Sequence, residues 1–338
     1  MENIWLLAFL LPIVVTKAAV IVGGGVGVGV GGGGVWIGGG INTPTTPTAS
    51  SNLNRAYTAL QAWKSAITDD PTGVTKSWAG PNVCSYKGVF CSESRDFMGN
   101  PAGPVVAAID LNHANLQGTL VKELSFLTDL SIFTSTPTGP VPEDLFNKKL
   151  DAIFLNNNLF DGELPQNLGN SPASVINLAN NRFTGTIPFS LGYVGIKEIL
   201  FLNNQLTGCV PQGIGMWSDL QVLDVSSNSL MGHLPDSLSC LSGIEVLNFA
   251  NNKLSGELPD LVCSLRRLLN LTVAANFFSG LSQDCDRLLF RNVGFDFSLN
   301  CIPGKDMQRP EPDCSIVPGG GLSCLRIPST KPLVCVGL

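Results

Sequence analysis

Cysteines are the residues of this sequence best suited to covalent chemistry. The chain of 338 residues contains 10 cysteines and 2 histidines. Zinc sites built from cysteine usually contain C-x-x-C pairs, and this sequence has none. Most cysteines lie toward the two ends of the central region: Cys84 and Cys91 on one side, and Cys285, Cys301, Cys314, Cys324 and Cys335 on the other. This distribution predicts the disulfides of a secreted protein, with Cys84 bonded to Cys91.

The other residue types form no pattern for catalysis or cofactor binding. Neither histidine belongs to an H-E-x-x-H motif, and no phosphate-binding loop ends in Lys-Ser or Lys-Thr. The segment 27–32 matches G-x-G-x-x-G, but it lies in a glycine tract without a strand before it or a helix after it. The sequence therefore predicts a protein that is not an enzyme and that holds no cofactor and no metal.

The charge balance narrows the class of partner. The chain has 20 basic and 26 acidic residues, a formal net charge of −6, and no basic cluster. Such a chain is poorly suited to nucleic acid or to an anionic membrane surface, because both attract basic proteins. An acidic chain of this kind favours a basic ligand.

A pattern of 23–24 residues repeats along the central region of the chain. Segments such as LDVSSNSLMGHLP and LNFANNKLSGELP share the form L-x-L-x-x-N-x-L-x-G-x-L-P. The repeat glycines follow one another at gaps of 21, 23, 23, 23, 24, 24 and 24 residues: Gly118, Gly139, Gly162, Gly185, Gly208, Gly232, Gly256 and Gly280. This leucine-rich repeat pattern predicts a curved α/β solenoid with a parallel concave sheet and disulfide-closed end caps. The strands are expected to be centred on Leu155, Leu178, Phe201, Val225, Phe249 and Val273.

Composition divides the chain into five parts. Residues 1–19 are interpreted as a signal peptide because a short apolar run precedes small residues; an uncleaved membrane anchor is the alternative. Residues 20–51 form a tether rich in Gly/Val and then Thr/Pro. An N-terminal cap is expected at 52–104, with a helix over 53–67 and a loop from Cys91 to Pro104. About eight repeats occupy 105–281, and a Cys-rich cap and tail follow at 282–338.

One asparagine in each intact repeat marks the point where the chain leaves the strand. Its amide is expected to bind backbone groups of neighbouring coils in a buried ladder, so these residues have a structural role: Asn158, Asn181, Asn204, Asn228, Asn252 and Asn276. The first repeat has Ala114 at this position. The second, residues 130–142, is shortened and has lost the asparagine, which predicts a defect in the sheet.

Strand alternation directs the residues between the repeat leucines toward the concave face. The candidate ligand-binding residues on this face are Phe154, Asn156, Asn177, Glu198, Leu200, Leu202, Asp224, Glu245 and Asn248. Leu200 and Leu202 beside Glu198 and Asp224 are interpreted as apolar anchors in an acidic field, suited to a cationic peptide. The alternative is a solvated sheet that binds nothing there.

Two kinds of modification site remain. Asn270-Leu271-Thr272 is the only N-x-S/T sequence, and it predicts a glycan over the C-terminal part of the concave face. Cys240 and Cys263 lie in neighbouring coils, so a bond between them is conceivable. Cys209 has no counterpart one coil away and is expected to be free or to form an intermolecular bond.

Several segments of the chain resemble a known plant family. The G-x-[I/L/V]-P that follows the ladder asparagine resembles plant extracellular leucine-rich repeats. Trp78–Cys91 (WAGPNVCSYKGVFC), Asn276-Phe277-Phe278 and Phe295–Arg309 (FDFSLNCIPGKDMQR) resemble the N-terminal half of plant leucine-rich-repeat extensins. The resemblance covers about residues 53–314. Because the chain has no Ser-Pro-Pro-Pro tail, it looks like an extensin-less member of that family.

The resemblance carries its own expectations about function. It implies a non-enzymatic plant-type leucine-rich repeat protein, secreted to the cell wall, where it contributes to wall formation or signalling. Its partner would be a secreted basic peptide of the rapid alkalinization factor class or a wall polymer. The alternative is an inhibitor of microbial wall-degrading enzymes, like the polygalacturonase-inhibiting proteins, which lack the C-terminal block found here.

Overall fold

The computed structural model describes residues 48–95, 98, 101–111, 114, 116–127, 132–134, 138–147, 150–188, 195–315 and 324. All of them belong to one compact unit, residues 46–338. The predicted signal peptide, the predicted tether up to residue 47 and Cys335 lie outside the described residues.

Ten strands of the described chain form the concave sheet. Its order along the stack is Val89–Arg95, Pro101–Asp110, Ile132–Thr134, Ala152–Phe154, Val175–Asn177, Glu198–Leu200, Val222–Asp224, Val246–Asn248, Asn270–Thr272 and Gly294–Asp296. The first pair is antiparallel, and every later pair is parallel. The chain is thus the predicted leucine-rich repeat solenoid.

The predicted strand centres are two residues too late. The strands from Ala152–Phe154 onward are three residues long, and they are centred on the first leucine position of the motif, such as Ile153 or Leu223. Pairing between coils nevertheless continues past the strand end, where the Leu155 amide donates to the Asn177 carbonyl at 2.8 Å. Both leucine positions therefore point into the core, and Ile153 and Leu155 are fully buried.

The strand of the shortened second repeat continues the concave sheet, so the predicted defect does not interrupt the pairing at residues 132–134. Its strand Ile132–Thr134 pairs in register with Pro101–Asp110 and with Ala152–Phe154. Phe133 occupies the position of Ile153, so the strand keeps its first apolar residue although the next one is lost. The residues removed from this repeat lie after the strand.

Elements outside the concave sheet complete each coil. A second sheet, which we call the outer sheet, contains Thr207–Gly208, Ser229–Gly232, Lys253–Glu257 and Phe277–Gly280 in parallel. Thr138–Gly139 pairs with Leu159–Phe160, and Ile67–Asp69 with Gln117–Gly118. Short helices form the convex side: Lys122–Phe126, Glu143–Leu145, Leu168–Asn170, Gln212–Met216, Asp236–Cys240, Asp260–Cys263 and Gln283–Asp286. Leu289–Arg291 and Glu311–Cys314 follow in the C-terminal cap.

The asparagine ladder is present. In the Asn276 rung, Nδ2 donates to the carbonyls of Phe249, Val273 and Ala274, and Oδ1 accepts from the Leu254 amide. The same pattern recurs at Asn181, Asn204, Asn228 and Asn252. Asn300 adds a rung that the repeat pattern did not reveal, since its Oδ1 accepts from the Phe278 amide. The ladder therefore extends into the C-terminal block.

The N-terminal cap packs aromatic side chains over the first coil. The helix Thr48–Ala66 begins five residues before its predicted start, and it buries Ala56, Leu60 and Trp63. The Trp63 and Trp78 rings lie 5.6 Å apart. Two short helices, Val74–Ser77 and Val83–Ser85, complete the cap. The predicted loop from Cys91 to Pro104 is wrong: Val89–Arg95 and Pro101–Asp110 form an antiparallel hairpin that closes the sheet edge.

All nine cysteines in the described part of the chain are disulfide-bonded. Four bonds join Cys84 to Cys91, Cys209 to Cys324, Cys263 to Cys285 and Cys301 to Cys314. Two expectations are therefore wrong. Cys209 is not free but bonds to a cysteine 115 residues later, and Cys263 pairs with Cys285 one coil onward rather than with Cys240. The Cys263 and Cys285 Cα atoms are 4.9 Å apart because the helices that carry them pack together.

These bonds predict the thiol content of the native protein. Titration of the folded, secreted chain with a thiol reagent is expected to detect no reactive thiol among the nine described cysteines. Reduction should then destabilise the ends of the stack first, because each disulfide contributes about 2–4 kcal/mol. Detection of ten reactive thiols before reduction would contradict the assignment.

Candidate functional site

Outward-facing side chains cross the concave sheet in three rows. The strand register places Ala152, Val175, Glu198, Val222, Val246 and Asn270 in the first row. It places Phe154, Asn177, Leu200, Asp224, Asn248 and Thr272 in the middle row. The third row follows the strand ends, where successive coils remain hydrogen-bonded: Asn156, Ala179, Leu202, Ser226 and Ala250.

The nine candidate residues from the sequence fall into these rows unequally. Phe154, Asn177, Leu200, Asp224 and Asn248 form one continuous middle row. Glu198 lies in the first row, and Asn156 and Leu202 lie in the third. Glu245 precedes the strand Val246–Asn248 and flanks the first row. All nine side chains are partly exposed, so a ligand on this face has access to them.

Glu198 is the most unusual group on the face. It is half-buried and lies between Val175 and Val222 in the first row. Burial raises the pKa of its carboxyl, because desolvation disfavours the charged form. Within the described residues, the carboxylate accepts no hydrogen bond and forms no salt bridge. A cationic group placed above it would relieve this penalty.

Asp224 differs from Glu198 because its oxygens are already engaged. Its Oδ1 accepts from the Ser226 amide at 2.9 Å and from the Ser226 hydroxyl at 2.6 Å. Its Oδ2 accepts from Asn248 Nδ2 at 2.9 Å. Asn248 Oδ1 in turn accepts from the Ala250 amide at 3.1 Å. Asp224 and Asn248 thus form a fixed polar bridge beside Leu200.

The apolar members of the first row were not among the residues predicted from the sequence to face outward. Val175, Val222 and Val246 share the position of Glu198, one residue before the first leucine position of each repeat. Apolar residues at the start of a strand look like core residues, so the pattern alone did not assign them outward. The valines could have been predicted to face outward, because each lies one residue before the inward-facing first leucine position of its repeat. Val175 is buried, whereas Val222 and Val246 are partly exposed and, with Leu200 and Leu202, make the centre of the face more apolar than expected.

No other feature of the described residues suggests chemistry. They contain no group of three or more His, Cys, Asp or Glu side chains that would hold a metal ion. The two ion pairs found among them, Arg287–Asp284 and Lys305–Asp286, lie in the C-terminal cap. None of the helices described has the length and apolar character needed to cross a membrane.

Comparisons of the sequence with known families identify the repeat class. Residues 53–92 match the leucine rich repeat N-terminal domain. Three segments match the leucine rich repeat itself, at residues 174–194, 219–241 and 243–265. The cap and the repeats therefore belong to the same architecture.

Curated relatives refine the assignment. Leucine-rich repeat extensin-like protein 6 of Arabidopsis thaliana is 55% identical over 87 residues, which are 26% of this chain and 18% of the relative. Leucine-rich repeat extensin-like protein 4 of Arabidopsis thaliana is 41% identical over 159 residues, covering 32% of each chain. The chain thus spans a third or less of the length of these relatives.

Solved structures share the same fold. The ectodomain of the receptor kinase GASSHO1/SCHENGEN3 from Arabidopsis thaliana, in complex with CASPARIAN STRIP INTEGRITY FACTOR 2, matches 73% of this chain and 33% of its own, with 26% identity and a TM-score of 0.57. The plant peptide hormone receptor RGFR1, in complex with RGF2, matches 55% of this chain and 31% of its own, with 26% identity and a TM-score of 0.53. The chain is therefore a plant-type leucine-rich repeat protein whose curated homologues are leucine-rich repeat extensin-like proteins.

Proposed function

We propose that this chain is a secreted, non-enzymatic binding protein of the plant cell wall that recognises a basic peptide on its concave face. In this role it contributes to wall formation or signalling. The proposed binding surface consists of Phe154, Asn177, Leu200, Asp224 and Asn248 of the middle row, together with Glu198 and Leu202. Oxidised cysteines support the extracellular location, because structural disulfides persist in oxidising compartments.

The half-buried Glu198 carboxylate, which has no hydrogen-bond or ionic partner within the described residues, is the observation that carries the proposal. Glu198 lies between two valines, where ionisation of its carboxyl is disfavoured. A sheet face that binds only water does not explain an acidic residue at this position. A partner's lysine or arginine would pair with it and exclude water from the apolar rim. Charge-assisted hydrogen bonds in such a setting are stronger than neutral ones.

Apolar and charged groups are combined as in peptide-binding surfaces. Leu200 and Leu202 flank the core residue Phe201 in the sequence, and their side chains offer two apolar anchors. Leu200 pairs with Asp224 of the next coil. Lys197 is the basic residue nearest this centre in sequence, and it is exposed. The acidic excess therefore favours a cationic partner and accelerates its approach at low salt.

The relatives support the same class of ligand. Two of the solved structures that share this fold are a plant peptide hormone receptor in complex with RGF2 and a receptor kinase ectodomain in complex with CASPARIAN STRIP INTEGRITY FACTOR 2. The extensin-like relatives match 26% and 32% of this chain. A peptide of the rapid alkalinization factor class is accordingly the first ligand to test.

The experiment titrates the full secreted chain with a folded peptide of that class by isothermal calorimetry. The control is the same peptide with its lysines and arginines replaced by glutamines. Saturable binding of the basic form alone would support the proposal. Equal binding of both forms would overturn the charge argument, and binding of neither, with retention on isolated wall polysaccharide instead, would favour a polymer ligand.

The raised pKa of Glu198 predicts how binding depends on pH. Affinity for the basic peptide should rise as the pH increases from the ordinary Glu range toward neutrality, because the carboxylate must ionise to bind a cation. Glu198→Gln should bind more weakly and show a flatter pH profile. The wild-type protein should lose stability as the pH rises, because the Glu198 carboxyl ionises and its pKa is raised in the folded state. Glu198→Gln has no carboxyl to ionise at this position, so its stability relative to wild type should increase with pH.

Calorimetric titration across this pH range, together with thermal unfolding at each pH, would measure both effects. Glu143→Gln on the convex side is the matched control, and it should leave both profiles unchanged. A wild-type affinity that is independent of pH would contradict the role assigned to Glu198.

A further inference from the structure

Asn270 begins the last concave strand before the C-terminal block. Its side chain is exposed, at the first-row position, and Asn270-Leu271-Thr272 satisfies the acceptor pattern for N-linked glycosylation. The Thr272 hydroxyl lies 3.0 Å from Asn270 Oδ1. The hydroxyl and the amide of the acceptor sequence therefore face the same side of the sheet.

The neighbour of Asn270 in the first row is the second observation. Gly294 pairs with Asn270, and a Cβ at Gly294 would lie 2.8 Å from Asn270 Nδ2. Gly294 is not among the described glycines with positive φ, so its backbone conformation does not require glycine. Val246, on the other side of Asn270, shows that a branched side chain fits this row elsewhere. The missing side chain thus leaves room for the nitrogen to which a glycan would attach.

We propose that Asn270 carries an N-linked glycan that stands over Gly294 and closes the concave face at its C-terminal end. The glycan comes from a lipid-linked oligosaccharide pyrophosphate. The Nδ2–C1 bond forms, the bond from C1 to the pyrophosphate oxygen breaks, and Nδ2 loses a proton. The glycan also covers Leu269, which is 61% exposed beside the acceptor.

The glycan sets the limit of the ligand-binding surface, an inference that rests on the proposed function. A bulky hydrophilic chain over the last coils leaves the strands from Ala152–Phe154 to Val246–Asn248 accessible. These strands contain or adjoin every candidate residue from the sequence. The peptide therefore binds to the N-terminal side of Asn270.

The modification is tested without any ligand. The full chain is secreted from plant cells, and its peptides are measured by mass spectrometry before and after enzymatic glycan release. The proposal expects a glycan on Asn270 and the loss of that mass in Asn270→Gln. Secreted protein with an unmodified Asn270 would overturn it.

The limit of the surface is tested by moving the glycan one coil. Ala250→Thr converts Asn248-Phe249-Ala250 into an acceptor sequence inside the proposed surface, and Ala250→Val is the matched control of the same shape. Asn270→Gln and Ala250→Val should bind the basic peptide within about twofold of wild type. The Ala250→Thr glycoform should lose more than tenfold in affinity.

Two results would separate this inference from the proposed function. If the Ala250→Thr glycoform binds as well as Ala250→Val, the ligand does not occupy these coils and the limit is wrong. If the wild type does not bind the peptide at all, the proposed function and the limit both fail, whereas the glycan assignment is decided by mass alone. If Ala250→Thr does not fold, a gain in affinity in Asn270→Gln beyond twofold would still refute the limit.

Discussion

Replacing Asn276 by alanine is expected to lower the free energy of unfolding by about 2–4 kcal/mol. The side chain has no exposed surface, and its amide satisfies carbonyls in its own coil and the one before. Alanine would leave the buried Leu254 amide without its acceptor. Each buried polar group left unsatisfied costs about 1–3 kcal/mol. Urea unfolding followed by circular dichroism measures the loss.

The matched control removes an amide that the fold does not use. Gln205→Ala deletes an exposed side-chain amide in another repeat and should change stability by less than about 0.5 kcal/mol. Because each coil contacts mainly its neighbours, the unfolding of Asn276→Ala should begin at the C-terminal coils. Equal stabilities of the two variants would show that the ladder is not essential.

Replacing Leu200 and Leu202 by serine should weaken binding of the basic peptide while leaving the fold intact. Both side chains face outward and are partly exposed, whereas Phe201 between them is buried. If they anchor the ligand, each truncation costs about 2 kcal/mol or more, which is roughly 30-fold in affinity. Calorimetric titration measures the affinity, and thermal unfolding confirms that the variant remains folded.

The control and the charge variants distinguish this surface from others. Leu261→Ser changes a leucine that is 44% exposed on a convex helix, and it should bind the peptide normally. Glu198→Gln with Asp224→Asn should slow association and reduce its salt dependence, because carboxylates on this face attract a cationic ligand. It should also weaken the bound state, because Glu198 can no longer pair with the cation. Binding that survives in Leu200→Ser/Leu202→Ser but fails in convex-face variants would contradict the concave site.

The repeat period predicted most of the solenoid because every coil has to bury its apolar side chains and pair its backbone in the same way. Apolar residues at both leucine positions must be buried, and an asparagine must satisfy the turning backbone, so period and register follow together. The strand centres were misplaced because the leucine pair spans the strand end, as at Ile153 and Leu155. The Asn300 rung was not predicted because Phe295 and Phe297 stand at the two leucine positions that usually mark a repeat.

Other features depend on contacts that no local pattern encodes. The outer sheet is built on segments around glycines such as Gly232 and Gly256, whose positive φ is unlike ordinary strand backbone. The cap hairpin forms because Val89–Arg95 pairs with Pro101–Asp110, whose outer edge has no earlier repeat beside it. On the concave face, sequence alternation predicted the middle row, but only the register showed that valines surround Glu198.

The Cys209–Cys324 bond also determines how the protein transmits mechanical force. A pull applied to the chain at Cys324 passes through the disulfide directly to Cys209, because the bond is covalent and short. The chain between the two cysteines, whose sequence separation is 115 residues, would be about 400 Å long if extended, but the disulfide prevents the pull from stretching it. The coils that carry Glu245, Asn248 and Asn270 lie inside this unloaded loop. Under tension, extension would therefore start on the N-terminal side of Cys209, and the later coils would keep their shape.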